Sequence, residues 1–185
     1  MNAIRRCFVT ACVLTALLGI GTTAHAASAS AINRDVTRAL DSLYAQNPTA
    51  RMLGGKAKAI LVFPKITKAG FMVGAQAGDG ALRQGGKTVG YYRSLAGSYG
   101  FQAGIQWFGY ALFFMNDSAL QYLHKSGGWE IGTGPSIVVL DEGMAKSLTS
   151  TTLTQDVYAF IFNQSGLMAG LGIQGSKITK IKVGK

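Results

Sequence analysis

The stretch that decides the fold reads Lys56-Ala57-Lys58-Ala59-Ile60-Leu61-Val62-Phe63-Pro64-Lys65-Ile66-Thr67-Lys68-Ala69-Gly70-Phe71. Its centre, from Ala59 to Phe63, is wholly apolar and is followed by Pro64, a pattern that is typical of a short buried strand ended by a proline. Four lysines flank this apolar run, and no carboxylate occurs between Asp41 and Asp79. The stretch therefore predicts a buried strand with positive charge at both ends.

Glycine-rich segments of alternating polarity follow, and they predict a series of strands. Glycine occurs 25 times in 185 residues, well above its usual share of roughly 7%, and a strongly curved sheet needs such corners. We predict turns at Gly78-Asp79-Gly80, at Gln84 to Lys87 and at Phe108-Gly109. Later predicted strands are Trp129 to Leu140, Val157 to Phe162 and Leu167 to Gln174, and the lysine-rich end from Lys177 is either a last strand or a free tail.

Two helical segments complete the predicted architecture. Apolar residues recur at helical spacing from Ile32 to Leu43, and Asn47-Pro48 ends this amphipathic run. A short helix follows a cap at Asn116 or Asp117. The predicted fold class is α+β, with an N-terminal amphipathic helix, a strongly curved glycine-rich antiparallel sheet or small barrel of about six to eight strands, and one short helix near residues 116–125.

The N-terminus has the features of an export signal. Arg5 and Arg6 precede an apolar core from Phe8 to Ile20, and Ala24-His25-Ala26 is a cleavage site of small residues. The apolar run is shorter than the roughly 20 residues that span a bilayer. We predict a signal peptide at 1–26, an N-terminal helix at 27–50, and a β-rich region at 51–185 that forms a single domain with that helix.

Cleavage after Ala26 predicts a periplasmic or secreted protein that is peripheral to the membrane. Cys7 and Cys12 both lie in the leader, so the mature chain would contain no disulfide and no cysteine-ligated metal. Val9-Thr10-Ala11-Cys12 loosely imitates a lipoprotein cleavage box, but almost no apolar core precedes this cysteine, and lipidation there is not expected. Loss of the two leader arginines lowers the net charge from +10 to +8.

Positive charge on an exported protein favours anionic partners. Phospholipid head groups, lipopolysaccharide phosphates and polyanionic glycans all fit this property. The chain shows no recognition-helix pattern and no aromatic-rich RNA-binding signature, so no nucleic acid partner is expected.

Little in the sequence supports catalysis. His124 is the only histidine after the cleavage site, and no serine sits in a nucleophile-elbow motif. With one histidine and no cysteine, a transition-metal site would need almost only oxygen ligands. Gly170 to Gly175 matches G-x-G-x-x-G, but the ten residues after it are too few for the helix and strand that the motif requires. We predict no enzyme, cofactor or metal, although a pair of glycosidase carboxylates among the eight acids stays open.

Several blocks of sequence, taken in order, resemble one known family, the SYLF-domain proteins. These are lipid-binding modules that occur alone in exported bacterial proteins and are joined to SH3 or FYVE domains in eukaryotes. The resemblance covers roughly Ala39 to Ile181. The blocks that carry it are Lys56 to Lys65, Lys68-Ala69-Gly70-Phe71, Gly85-Gly86-Lys87, Gly100-Phe101-Gln102-Ala103-Gly104, Gly127-Gly128-Trp129-Glu130-Ile131-Gly132 and Gly166-Leu167-Met168-Ala169-Gly170.

The resemblance implies binding to acidic phospholipids, helped by an amphipathic N-terminal segment and by basic residues. Some eukaryotic relatives bind phosphoinositides or actin, neither of which an exported bacterial protein meets in its own envelope. The basic positions that match the family are Lys56, Lys58, Lys65 and Lys68. Charge alone adds Arg51 as a further lipid contact and Arg34, Arg38, Lys180 and Lys182 as secondary contacts.

We therefore expect an exported module that binds anionic phospholipid head groups through a basic patch, aided by the N-terminal helix. The alternative is a structural or adhesive envelope protein that contacts an unknown protein partner through exposed aromatic side chains. Burial in the core is the competing interpretation of those aromatic residues. They are Tyr91, Tyr92, Trp107, Phe108 and Tyr110.

Overall fold

The computed structural model describes residues 28–71, 73–99, 104–125, 127–140, 154–165, 173 and 175–184. The predicted signal peptide and most of the predicted strand Leu167 to Gln174 lie outside the described residues. The helices in the described part are α1 (Ala29–Gln46), α2 (Pro48–Lys56) and α3 (Asp117–Leu123). The strands are β1 (Ala59–Phe71), β2 (Val73–Gln84), β3 (Lys87–Tyr99), β4 (Gly104–Phe114), β5 (Trp129–Glu130), β6 (Ile137–Leu140), β7 (Val157–Ser165) and β8 (Lys177–Ile181).

All eight of these strands form one curved sheet in the order β5-β8-β3-β2-β1-β4-β7-β6. The four long strands β1 to β4 occupy its centre, and the later strands are added on both sides. Neighbouring strands are antiparallel except β6 and β7, which run parallel. The predicted α+β class with a curved sheet is confirmed.

The N-terminal region forms two helices that share one capping residue. Asn47 ends α1, and its side-chain Oδ1 accepts a hydrogen bond of 3.0 Å from the backbone N–H of Ala50 in α2. Pro48 occupies the first turn of α2, where an N–H would have no helical partner. The predicted end at Asn47-Pro48 is therefore confirmed. The helix that follows was not predicted, because it contains Gly54 and Gly55, which are poor helix formers.

The sheet is covered on both faces at one end. One face, here called the α1 face, packs Ile60, Val62 and Phe113 under α1 and α2. The opposite face, here called the α3 face, packs Leu61 and Phe63 in a second cluster with residues of α3. Because successive strand residues point to opposite faces, a strand buried on both faces must be continuously apolar. This explains the run from Ala59 to Phe63.

Strand β1 does not end at Pro64, and that prediction is wrong. The register of β1 shifts against β4 between Phe63 and Ile66, and it also shifts against β2 in this region. Pro64 lies within this bulge, where its missing N–H interrupts no regular ladder. The strand continues to Phe71, and the bulge returns Ile66 to the same core cluster as Phe63.

The predicted turn at Gly78-Asp79-Gly80 is also wrong, because β2 runs straight through it. A Cβ atom at Gly78 would meet the carbonyl oxygen of Lys65, and one at Gly80 would meet the carbonyl oxygen of Val62. These glycines let β2 lie close to the bulged strand β1 instead of turning the chain.

The predicted turn at Phe108-Gly109 fails for a similar reason. Strand β4 passes through it, and a Cβ at Gly109 would meet the ring of Phe162 in the neighbouring strand β7. The predicted turn at Gln84 to Lys87 is confirmed, since Gly85 and Gly86 have φ values of 56° and 77° between β2 and β3. Only glycine adopts two successive positive φ values at low cost.

In the C-terminal half, one predicted strand is divided in two and the lysine-rich end is a strand. The predicted strand from Trp129 to Leu140 is two strands, because Gly132 and Gly134 adopt φ values of 106° and 84° between β5 and β6. The lysine-rich end forms β8, which pairs with β3 and β5, so that the last-strand interpretation is confirmed.

The predicted short helix α3 is confirmed, and Asp156 ties it to the sheet. Asn116 caps α3 by accepting a hydrogen bond from Ala119 N at 2.8 Å, and its amide donates to Asp156 Oδ1 at 2.7 Å. The backbone N–H and the hydroxyl of Ser136 each donate to Asp156 Oδ2 at 2.9 Å. These donors, the Ser136 backbone first, lower the pKa of Asp156 because they stabilise its ionised form.

Candidate functional site

The α1 face is covered by helices at one end and is bare at the other. In β4, Ile105 and Trp107 lie on the same face as Phe113, because alternate residues share a face. Directly opposite residues in neighbouring strands also share a face, so the pairings extend this surface across β1, β2 and β3. We call this surface the bare sheet face, and its residues are Thr67, Ala69, Val73, Ala75, Ala77, Leu95, Gly97, Ile105 and Trp107.

Every residue of the bare sheet face is exposed, and all of them except Thr67 lack a polar side chain. A sheet face in contact with water normally carries polar side chains, and contiguous exposed apolar patches mark interaction sites. The exposed fractions of its largest side chains are 61% for Val73, 58% for Ile105, 46% for Leu95 and 40% for Trp107.

Basic residues border the bare sheet face on two sides. Lys65 Nζ lies 5.1 Å from the centroid of the Trp107 ring, a cation–π contact. On the other side, the register places Lys177 of β8 opposite Leu95, on the same face of the sheet, and its side chain is exposed. The row of opposite residues Trp107, Thr67, Ala77 and Leu95 therefore has a lysine near each end.

Charged residues also separate the bare sheet face from α1. Arg93 and Asp79 are opposite each other in β3 and β2, and their side chains form a bidentate ion pair with distances of 2.6 and 2.8 Å. The hydrogen bond to Asp79 raises the pKa of Arg93, which stays fully charged. Lys65 shares a cavity of about 400 Å³ with Asp35, Arg38 and other residues of α1, β1 and β7.

The four predicted lysines do not form one patch. Lys56 ends α2 and Lys58 precedes β1, where its Nζ lies 3.9 Å from a carboxylate oxygen of the exposed Asp117. Lys65 lies on the bulge, and seven residues of extended chain place it roughly 20 Å from Lys58 at about 3.3 Å per residue. Positive charge is thus divided between the two ends of the buried run.

The bulge also separates Lys65 from Lys68. Lys68 is paired with Gln76 and Gln106, and the nearly buried Gln76 donates to Ser176 Oγ at 3.2 Å on the α3 face. Lys68 is half-buried on that face, whereas Lys65 contacts Trp107 on the other. The remaining predicted contacts Arg51, Lys180 and Lys182 are exposed on α2, on β8 and just after β8.

Arg34 and Arg38 are exposed on α1 and face the hairpin of β2 and β3. They line an open depression of about 590 Å³ together with Arg83 and Lys87 of that hairpin. Neither Arg83 nor Lys87 was among the predicted binding residues. The one available signal was the position of Lys87 in the block Gly85-Gly86-Lys87.

Most of the aromatic candidates belong to the core. Tyr92, Phe108 and Tyr110 are buried, which confirms the core interpretation for these three. Burial raises the pKa of Tyr110, and its hydroxyl donates to Ser94 Oγ at 2.7 Å. Tyr91 is half-buried, and its hydroxyl accepts a hydrogen bond from Asn33. Trp107 is the exposed member of the set.

The described residues contain no group of three or more His, Cys, Asp and Glu side chains that could hold a metal ion. None of the helices in that part of the chain is long and apolar enough to cross a membrane.

Comparison with known families supports the resemblance found in the sequence. Residues 95–182 match the family model described as "Ysc84: Las17-binding protein actin regulator". Residues 95–182 belong to the SYLF family. The matched SYLF segment contains Leu95, Ile105 and Trp107 of the bare sheet face, whereas the lysines of β1 precede it. No curated protein sequence matches the chain.

Proposed function

We propose that this SYLF protein is an exported, peripheral module that binds membranes containing anionic phospholipid. The bare sheet face is the observation that carries the proposal, because it presents exposed apolar side chains with Lys65 and Lys177 at its borders. An apolar surface bordered by basic residues matches an anionic membrane, because the apolar side chains can enter the hydrocarbon region while the lysines contact the anionic head groups. The net charge of the exported chain, +8 after the loss of Arg5 and Arg6 from the +10 of the full sequence, favours the same partner.

The energies are sufficient for reversible attachment. Moving apolar surface out of water contributes about 25 cal/mol per Å², or ~1.5–3 kcal/mol for a fully buried large side chain. Each lysine near an anionic membrane contributes on the order of 1 kcal/mol. Val73, Leu95, Ile105 and Trp107 together with the bordering lysines would therefore hold the protein at a surface. Tryptophan is favoured at the boundary between hydrocarbon and head groups.

The predicted signal peptide supports membrane binding outside the cytoplasm. Cleavage after Ala26 would release the chain into the periplasm or the medium, where it would meet phospholipid or lipopolysaccharide from outside the cytoplasm. The roles of Lys56, Lys58, Lys68, Arg51, Lys180 and Lys182 remain predictions from charge and resemblance. The proposal assigns the first contact to the bare sheet face and Lys65.

The test is co-sedimentation of the purified exported chain with vesicles. We expect binding to phosphatidylcholine vesicles that contain phosphatidylglycerol, weak binding to pure phosphatidylcholine, and a decrease as salt is raised. The double variant Ile105→Ser/Trp107→Ser should lose binding, and Lys65→Glu should weaken it. Lys125→Glu is the matched control, since Lys125 is an exposed lysine beside Tyr122 of α3. Equal binding to neutral vesicles, or unchanged binding by the double variant, would overturn the proposal.

A protein partner is the second candidate function. The matching family is described as Las17-binding, and an exposed apolar face also suits an apolar protein surface. A pull-down from envelope extract at high salt separates the two candidates. A stoichiometric protein with no lipid in the eluate, lost in the Ile105→Ser/Trp107→Ser variant, would favour this second function.

A further inference from the structure

A basic depression lies beside α1, and Arg38 lines both this depression and the cavity shared by Lys65 and Asp35. One wall is the exposed side of α1, and the other is the start of the hairpin that joins β2 to β3. We call it the basic cradle. Its seven lining residues are Asn33, Arg34, Thr37, Arg38, Arg83, Lys87 and Thr88.

Hydrogen bonds through Asn33 hold the two walls of the basic cradle together. The backbone carbonyl of Asn33 accepts from Arg83 Nη2 at 3.1 Å, and its Oδ1 accepts from Thr88 Oγ1 at 2.7 Å. Its side-chain amide donates to the hydroxyl of Tyr91 at 2.9 Å. The helix and the hairpin are therefore fixed relative to each other, and the cationic groups do not depend on a ligand to bring them together.

Arg83 is oriented without being neutralised. Its guanidinium donates to the backbone oxygens of Asn33 and Gly86 and, at 2.6 Å, to the hydroxyl of Thr37. None of these acceptors is a carboxylate. An arginine side chain has five N–H donors, so Nε–H and one Nη1–H remain after these three hydrogen bonds. Each of them can give a phosphate oxygen a single charge-assisted hydrogen bond from a guanidinium whose orientation is already fixed.

The charge of the basic cradle is largely uncompensated. Four cations line it. Among the described residues, only Asp35 forms ion pairs with them, at 3.8 Å from Arg34 and 3.6 Å from Arg38. Both contacts are long and exposed, so they neutralise little charge. Arg83 and Lys87 form no ion pair within the described part of the chain.

We propose that the basic cradle binds a phosphomonoester, a phosphate group that carries close to two negative charges. Four cations around one open depression favour a compact multivalent anion over a single carboxylate. The phosphate could belong to a lipid head group or to a soluble molecule. Only the lipid source rests on the proposed membrane function; the phosphate chemistry of the basic cradle does not.

The experiment compares two vesicle types and one soluble ligand. Vesicles of phosphatidylcholine with phosphatidic acid present a phosphomonoester, and vesicles with phosphatidylglycerol, adjusted to the same surface potential, present a phosphodiester. Calorimetric titration with glycerol 3-phosphate supplies the soluble arm. We expect the exported chain to bind the phosphatidic acid vesicles more tightly than the phosphatidylglycerol vesicles.

The variants locate that preference. Arg34→Gln/Lys87→Gln removes two exposed side chains that hold no structural hydrogen bond in the described residues, so that folding should be unaffected. It should reduce affinity for phosphatidic acid vesicles by roughly fivefold for each charge lost and abolish the preference. Lys125→Gln should retain it. Arg83→Lys keeps the charge but loses the planar guanidinium that Asn33, Thr37 and Gly86 hold in place, and it should lower the preference with little change in phosphatidylglycerol binding.

Each outcome has a distinct meaning. Binding of glycerol 3-phosphate as tight as that of phosphatidic acid vesicles identifies a soluble phosphomonoester as ligand, and much weaker binding identifies a lipid head group; both support the basic cradle. Equal affinity of the unmodified chain for the two vesicle types, or a preference that survives in Arg34→Gln/Lys87→Gln, would overturn the inference. Failure of the membrane proposal looks different, because Ile105→Ser/Trp107→Ser would then leave all vesicle binding unchanged.

Discussion

The two halves of the α1 face are made from the same strands and the same kinds of side chain, yet only one half has a cover. Ile60 and Phe113 pack under α1 and α2, whereas Ile105 of the same strand as Phe113 faces solvent. Apolar alternation therefore reports that a face is apolar, and it does not report what covers it. The covered half is used for folding, and we propose that the bare half is available for binding.

The largest expected effect comes from a pair of alanine substitutions in β4. Phe113→Ala opens a cavity under the helices and should lower the free energy of unfolding by about 3–5 kcal/mol. Ile105→Ala, eight residues earlier on the same face, should lower it by less than about 1 kcal/mol because that side chain is already exposed. Denaturant unfolding measures both. Similar losses at the two positions would show that the bare half is also part of the stabilising core.

A second pair of variants tests the same difference at glycine positions. Gly80→Ala places a Cβ against the carbonyl oxygen of Val62, so we expect a loss of about 1–3 kcal/mol from overpacking. Gly97→Ala meets no atom within 4 Å and should change stability by about 0.5 kcal/mol or less. Thermal unfolding of the two variants distinguishes them, and a tolerated alanine at Gly80 would contradict the close approach of β1 and β2.

These glycines also show why the sequence predicted which strands and helices form better than it predicted where they begin and end. The turn at Gln84 to Lys87 could be predicted because its glycines need positive φ, a local property. Gly80 and Gly109 serve close contacts with Val62 and Phe162, residues distant in sequence, and such contacts leave no local pattern. Pro64 was misleading for the same reason, since only the register of the neighbouring strands shows a bulge there.

In the candidate site, too, local properties could be predicted and contacts between residues distant in sequence could not. The positive charge of the stretch from Lys56 to Lys68 could be predicted by composition, but its division between strand ends and between faces depends on the bulge. The bare sheet face combines residues of four strands, so no single segment revealed it. Arg83 joins Arg34 only because the hairpin of β2 and β3 packs against α1.

A third prediction concerns charge at the edge of the bare sheet face. Lys65→Glu reverses a charge that lies over Trp107, and it should weaken binding to anionic vesicles by about 2 kcal/mol, since each charge contributes on the order of 1 kcal/mol. Lys58→Glu lies at the far end of the buried run and should weaken binding less. Co-sedimentation at low salt measures both variants, and equal losses would indicate that the whole surface acts only through its net charge.

The smallest expected effect is a pH dependence at Asp156, which ties α3 to the sheet and lies outside the bare sheet face. The hydrogen bonds from Ser136 and Asn116 lower the pKa of Asp156 below its ordinary value of 3.8. A lowered folded-state pKa contributes stability that is present above the unfolded-state value and is lost as the pH falls through the folded-state value. Stability should therefore decrease below about pH 4, near the model-peptide pKa of an aspartate.

The variant Asp156→Asn isolates that contribution. It should be less stable than the unmodified chain at pH 6, and the difference should shrink as the pH is lowered toward 3, because the unfolded state of the unmodified chain takes up a proton at a higher pH than the folded state, whose carboxyl pKa is lowered. Thermal unfolding from pH 6 to pH 3 measures this. The residues of the bare sheet face do not titrate, so binding to neutral vesicles that carry no titratable lipid should not follow the same curve. A constant difference in stability across this range would mean that Asp156 acts by its shape and hydrogen bonds alone, and not by its charge.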